Sequence, residues 1–222
     1  AASDVYKRQI LVDRIAVFGI SRSGKDYTIE GAVDRLTAAG KRYCHLSMIG
    51  TVHDLLKGRK LREMSKMDKL ALMDRVHMEM DSISLMCSTI VDEHYCFPGT
   101  YGGKVIHTDY TEEKLPFREF YDEDLESTYE IVFDESELKK YRLVVFLDID
   151  PEVVLERFRT SAGCKHNDYI TLKDVKNWIL FEKSNLRLLC RKYGIPFFTL
   201  NDPATTSEDL VRIIQGLSLI HI

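Results

Sequence analysis

The chain has 222 residues, 45% hydrophobic and 30% charged, with 31 basic against 35 acidic side chains and a formal net charge of −4. This is the composition of one globular domain, with or without insertions; it excludes a disordered, collagenous or disulfide-dense chain and leaves no basic field to hold nucleic acid. No apolar run approaches the ~20 residues of a membrane span and residues 1–9 have no apolar signal core, so a cytoplasmic protein without membrane or nucleic-acid partners is expected.

Asp4-Val5-Tyr6-Lys7-Arg8-Gln9 and Leu217-Ser218-Leu219-Ile220-His221-Ile222 read like translated sequencing-adaptor read-through. The expectation is therefore a single domain over 10–216 with non-native tails at 1–9 and 217–222. Residues 14–18 form an apolar run ending at Gly19, a buried strand. From 26 to 39, Ile29, Val33 and Leu36 recur at helix spacing, and Gly40 is a stop. A weaker strand is predicted over 42–48. The charged stretch 61–86 carries apolar residues mostly three or four apart and fits one or two helices. Residues 88–91 form a third strand running into Asp92-Glu93-His94. An insertion at about 97–140, rich in Gly, acids and Tyr, has no readable period over 101–140. The clearest strand is 143–149, followed by a helix opened by Pro151 at its permitted first position. A long helix over 172–193 closes at Gly194, a last strand spans 196–200, and a last helix spans 207–215 with Ser207 as its N-cap. The alternation predicts an α/β three-layer sandwich: a mostly parallel five-stranded sheet with helices on both faces. The five cysteines show no C-x-x-C and an odd count, so free thiols are expected rather than a disulfide framework or zinc site.

Gly19-Ile20-Ser21-Arg22-Ser23-Gly24-Lys25-Asp26 fits the phosphate-loop pattern G-x-x-x-x-G-K between an apolar strand and an amphipathic helix. Glycines let backbone N–H groups turn inward on an anion, and the helix N-terminus adds its positive end. Lys25 supplies a cation for the β- and γ-phosphates. The predicted nucleotide contacts are Gly19, Ser21, Arg22, Ser23, Gly24, Lys25, Asp26 and Tyr27. Asp26 stands where Ser or Thr is usual, a harder oxygen ligand that would bind Mg²⁺ directly or through water, with Thr28 a weaker substitute. Asp92, at the carboxyl end of the third strand, is the second expected Mg²⁺ ligand. Glu93 or His94 is the candidate to accept a proton or orient the attacking group. Arg157 and Arg159 are candidates to meet charge on the transferring phosphoryl.

The Ser-Gly-Lys-Asp loop resembles those of phage-type deoxynucleoside monophosphate kinases and animal-type phosphomevalonate kinases. The segment Leu143-Val144-Val145-Phe146-Leu147-Asp148-Ile149-Asp150-Pro151-Glu152-Val153, running on to Arg157 and Arg159, resembles thymidylate kinases and deoxynucleoside kinases, whose fourth strand opens into an Arg-bearing lid. The resemblance implies a P-loop kinase domain, with a helical lid at about 157–170 closing over ATP. It departs at Asp92-Glu93-His94-Tyr95, where thymidylate kinases carry an Asp-Arg-Tyr type of signature, and in the length and acidity of the insertion.

In this kinase group the segment between the second and third strands forms the acceptor pocket. Arg62 and Arg75 are the candidate acceptor-phosphate ligands there, Tyr95 a base-stacking candidate, and the methionines of 61–86 either core or pocket wall. The expected function is Mg²⁺- and ATP-dependent transfer of the γ-phosphoryl to a small-molecule acceptor, a nucleoside or nucleoside monophosphate, by a monomer or homodimer. The alternatives are an AAA-type or regulatory ATPase, in which Glu93 would activate water, and a kinase of a phosphorylated alcohol. A GTPase would need an Asn-Lys-x-Asp motif, and Lys165-His166-Asn167-Asp168 has the residue types but not the order.

Overall fold

The computed structural model describes residues 13–59, 64–101, 104–105, 118–125, 127–161 and 169–219. In chain order the elements are β1 (Arg14–Phe18), α1 (Lys25–Ala38), β2 (Tyr43–Ser47), α2 (Met48–Leu56), α3 (Lys66–Ser84), β3 (Ser88–Glu93), β4 (Cys96–Pro98), β5 (Thr100–Tyr101), β6 (Lys104–Val105), β7 (Arg118–Asp122) and β8 (Ser127–Ile131). They continue with α4 (Glu135–Leu138), β9 (Leu143–Leu147), α5 (Pro151–Thr160), α6 (Leu172–Tyr193), β10 (Phe197–Leu200) and α7 (Thr206–Leu219).

The five-stranded sheet has the order β10-β9-β1-β3-β2, and all four pairings are parallel. β1 and β9 are buried along their whole length, which is why Ile15 to Phe18 and Leu143 to Leu147 read as unbroken apolar runs rather than alternating ones. Because β1 connects to β2 in one direction and every later connection runs back the other way, right-handed crossovers place α1 on one face and α3, α5 and α6 on the other. α7 returns to pack on α1, where the buried Thr28 hydroxyl donates to Thr206 at 2.8 Å. Phe18, Ile29, Leu36, Ile90 and Phe146 fill the core with no exposed surface. Each such side chain contributes about 1.5–3 kcal/mol relative to exposure.

Three readings of the chain change. The strand predicted over 42–48 stops at Ser47, whose hydroxyl caps α2 by accepting from the Gly50 N–H, and Val52 and Leu56 bury one helical turn apart. The Ile, Gly and Thr of that helix are poor formers, so packing rather than propensity makes it. Ser207 lies inside α7 instead of capping it; the helix opens at Thr206, after a turn in which Asp209 bonds back to the Thr205 carbonyl. Of the α3 methionines only Met80 is core, and Met67 and Met78 are exposed.

The insertion contributes a three-stranded antiparallel sheet, β4-β8-β7, and the two-stranded β5-β6. It docks on α6: Tyr129 stacks on Phe181 with centroids 3.9 Å apart, and the Trp178 indole N–H donates to the Cys96 carbonyl at 3.1 Å. Cys44, Cys87, Cys96 and Cys190 are free thiols, with Cys44 and Cys87 side by side.

Candidate active site

The turn after β1 is built for glycine at its two ends. Gly19 has φ 157°, and a Cβ there would lie 2.8 Å from Ser23 Oγ and 3.2 Å from Leu147 Cβ. Gly24 has φ 95°, the left-handed conformation that favours glycine, and is the N-cap of α1 without any side-chain cap bond. Ser23 N–H donates back to the Ile20 carbonyl at 3.1 Å, which closes the loop. Thr28 N–H is the first to reach back into the helix, to the Gly24 carbonyl at 3.0 Å. The N–H groups of Lys25, Asp26 and Tyr27 therefore lack intrahelical acceptors and, with the helix dipole, favour an anion at this end.

Lys25 is turned into the site and is only 6% exposed. Its ammonium donates to the Gly19 carbonyl at 2.7 Å and the Ile20 carbonyl at 3.4 Å, and sits 3.5 Å from Asp92 Oδ1. It also lies 3.2 Å from His94 Nε2. An ammonium only donates, so His94 Nε2 accepts and Nδ1 carries the ring hydrogen. Burial, and then Lys25, hold His94 well below its ordinary pKa, so the imidazole is neutral.

β3 delivers Asp92 beside Val17 and Ser47 in the register of the sheet. Burial pushes its carboxyl up, Lys25 pulls it down, and Asp26 pushes it up again. Asp92 Oδ1 is buried without a hydrogen-bond donor, and so is His45 Nε2 on β2, which lies 3.9 Å from Asp26 Oδ1. The ligand atoms of Asp26, His45 and Asp92 lie within 4.8 Å of one another. Two carboxylates and an unsatisfied ring nitrogen around one point fit a divalent cation, so the predicted pair Asp26 and Asp92 is brought together. His45 is an addition the sequence reading did not contain.

Glu93 does not join them. Side chains alternate along a strand, so its carboxyl is on the opposite side from that of Asp92. It accepts from the Tyr141 hydroxyl deep in the interior, where burial raises its pKa to about 8. Its role as a base at the loop is corrected to a structural one. Thr28 is likewise occupied, by Thr206.

Arg157 reaches the loop from α5: Nη1 donates to the carbonyls of Arg22 at 3.1 Å and Ser23 at 2.9 Å. Arg159, two residues and about 200° farther round the helix, is exposed on another side and does not accompany it. Tyr95 is 3% exposed and packs among Phe133 and Phe181, a core residue rather than a base platform. Arg75 is on the exposed face of α3, and the Tyr27 ring is 72% exposed. Arg62 and most of the predicted lid, residues 162–168, lie outside the described residues.

Glu182 of α6 is a second residue absent from the reading. It is fully buried, and its Oε1 accepts from the Tyr95 N–H at 3.3 Å. Burial raises its pKa to about 7, with Lys25 and the backbone at Tyr95 and Gly19 pulling the other way. A signal existed: Val175, Trp178, Ile179, Glu182 and Leu186 form one buried helical stripe with a carboxylate inside it.

The strand order, the glycine-bounded loop and the inward lysine define a P-loop α/β domain. No family model and no curated protein matches the sequence. Among solved structures it is similar to a shikimate kinase from Bacteroides thetaiotaomicron, at 13% identity over 92% of this chain and 97% of that one, with a TM-score of 0.49. It is also similar to a sugar kinase from Janibacter, at 14% over 92% and 95% with a TM-score of 0.45. A third is a deoxyadenosine kinase from M. mycoides with bound dCTP, at 16% over 91% and 99% with a TM-score of 0.45. At these scores the likeness carries no argument about activity.

Proposed function

We propose that this chain is an ATP- and Mg²⁺-dependent phosphotransferase that moves the γ-phosphoryl of ATP to a small acceptor, a nucleoside or nucleoside monophosphate. The observation that carries the reading is Lys25, held inside a glycine-bounded loop at an uncapped helix N-terminus and 3.5 Å from the buried Asp92. Free N–H groups of the loop and of the first turn of α1 would bind the β- and γ-phosphate oxygens. Lys25 would leave the carbonyls of Gly19 and Ile20 for those oxygens. Arg157 would brace the loop through Arg22 and Ser23 and present its guanidinium at the rim where negative charge gathers. Asp26, Asp92 and His45 would hold the metal, which when bound neutralises phosphate charge.

Plain ATP hydrolysis is the weaker reading, because the acid that would activate water, Glu93, is buried on the opposite side of β3 from Lys25 and hydrogen-bonded to Tyr141. The test is ADP release from Mg·ATP, screened over nucleosides, nucleoside monophosphates and phosphomevalonate. ADP release that requires a nucleoside or its monophosphate supports the proposal. Phosphomevalonate as the only acceptor replaces the acceptor class. Acceptor-independent release, or none, overturns it.

A further inference from the structure

We propose that Asp26, His45 and Asp92 form a mixed oxygen–nitrogen cation site in which His45 selects a first-row transition ion, with Mn²⁺ the natural probe, over Mg²⁺. The inference rests on the reading of this loop as a cation-assisted phosphate site and specifies which cation its residues prefer.

Three elements converge on the site. Asp26 comes from the first turn of α1, His45 from β2 and Asp92 from the end of β3. Their ligand atoms fall within 4.8 Å of one another, a spread one ion can bridge. Two of the atoms are already stripped of water without being given a hydrogen bond in exchange: Asp92 Oδ1, on a side chain nine-tenths buried, and His45 Nε2. Leaving a buried ring nitrogen with no donor, and a buried carboxylate oxygen with only the Lys25 ammonium at 3.5 Å, is unfavourable, and a cation satisfies both at once. Two carboxylates outweigh the single ammonium of Lys25 on this side, so the local charge also favours a dication. The ligand set then decides which one. Mg²⁺ wants octahedral oxygen and sheds water reluctantly. An imidazole nitrogen adds affinity for ions further along the first transition row and nothing comparable for Mg²⁺.

The test uses the full chain without nucleotide, so that it reads the ligands and not catalysis. MnCl₂ is titrated in, free Mn²⁺ is counted by its EPR signal, and the bound ion is examined for ¹⁴N modulation by electron spin echo. The expected result is one bound Mn²⁺ with imidazole-type ¹⁴N modulation, displaced by Mg²⁺ only at more than about tenfold higher concentration. His45→Gln should fold with an unchanged melting profile, lose the modulation and weaken Mn²⁺ by at least about tenfold, the lower bound for losing even a partner of a ligand. Asp92→Asn should weaken it too. Bound Mn²⁺ without nitrogen modulation, equal Mn²⁺ and Mg²⁺ affinities, or a His45→Gln protein that binds like the parent overturns the inference. The phosphotransferase reading is judged separately by acceptor-dependent ADP release, which an oxygen-only Mg²⁺ site would still support.

Discussion

Lys25→Ala separates a catalytic lysine from a merely buried one. In the parent, the ammonium satisfies the Gly19 carbonyl at 2.7 Å and faces Asp92 at 3.5 Å, at 6% exposure. Removing it strands the Gly19 carbonyl and the buried His94 Nε2, which accepts at 3.2 Å, at about 1–3 kcal/mol each, while Asp92 can take up a proton and Ile20, at 3.4 Å, loses little. The stability loss should therefore be about 2–6 kcal/mol, read as a lower urea midpoint with an unchanged slope. The transition state loses a charge contact besides. A charge contact on the transferring phosphoryl is worth about 100-fold or more in kcat, close to 3 kcal/mol. The assay is acceptor-dependent ADP release at saturating ATP, run beside the urea titration at a temperature where both proteins are fully folded. A second arm measures the rise in melting temperature on adding ATP, which the parent should show and the variant should largely lose. A folded Lys25→Ala protein with kcat within about threefold of the parent would refute the reasoning, because the lysine would then be only a plug in the loop.

Asp26→Ser should keep more activity than Asp26→Lys, since a hydroxyl still offers an oxygen while an ammonium repels the dication; equal activities at saturating Mg²⁺ would remove Asp26 from the site. Arg157→Ala should lower kcat by about 100-fold with a stability change near 1 kcal/mol, and Arg157→Lys should not restore it, because Nη1 alone serves both carbonyls and leaves the other guanidinium nitrogens for phosphate, whereas a lysine has one nitrogen for both tasks; kcat unchanged in Arg157→Ala would leave the residue a loop brace alone. Glu182 has a folded pKa of about 7 against an ordinary 4.5, so the folded chain holds a proton that the unfolded chain has released between those values. Its contribution is complete below about pH 4.5 and falls away as the pH rises toward 7, on the order of a few kcal/mol. Glu182→Gln keeps a neutral acceptor for the Tyr95 N–H and should flatten that part of the pH dependence of urea unfolding; parallel curves for the two proteins would show that Glu182 does not titrate there.

What could be read from the chain divides by how local its cause is. The phosphate loop was legible because glycines at 19 and 24, the lysine and the flanking elements act over eight residues, and their geometry follows from backbone conformation alone. The central strands were legible because they are covered on both faces and carry apolar runs, Ile15 to Phe18 in β1, Ile90 and Val91 in β3 and Leu143 to Leu147 in β9. The failures each needed a second element. Asp92 and Glu93 are neighbours on a strand, so only one can face the loop, and alternation alone does not say which; the pairing of β3 between β1 and β2 does. Arg157 and Arg159 pose the same question on a helix, and the side of α5 that meets the loop answers it. His45 had no local signal, because its place beside Asp26 depends on β2 lying next to β3 and on the first turn of α1 reaching β2. The short strands of the insertion bury against α6 through Tyr129 and Trp178, contacts about 50 to 80 residues away in sequence, and so leave no period to read. Glu182 is the instructive exception. An acid inside an otherwise apolar helical stripe violates the local pattern, and such violations are expected where function asks for them. It is linked to both the start of the loop and the end of β3, which makes the one break in the pattern of α6 the place where that helix meets the site.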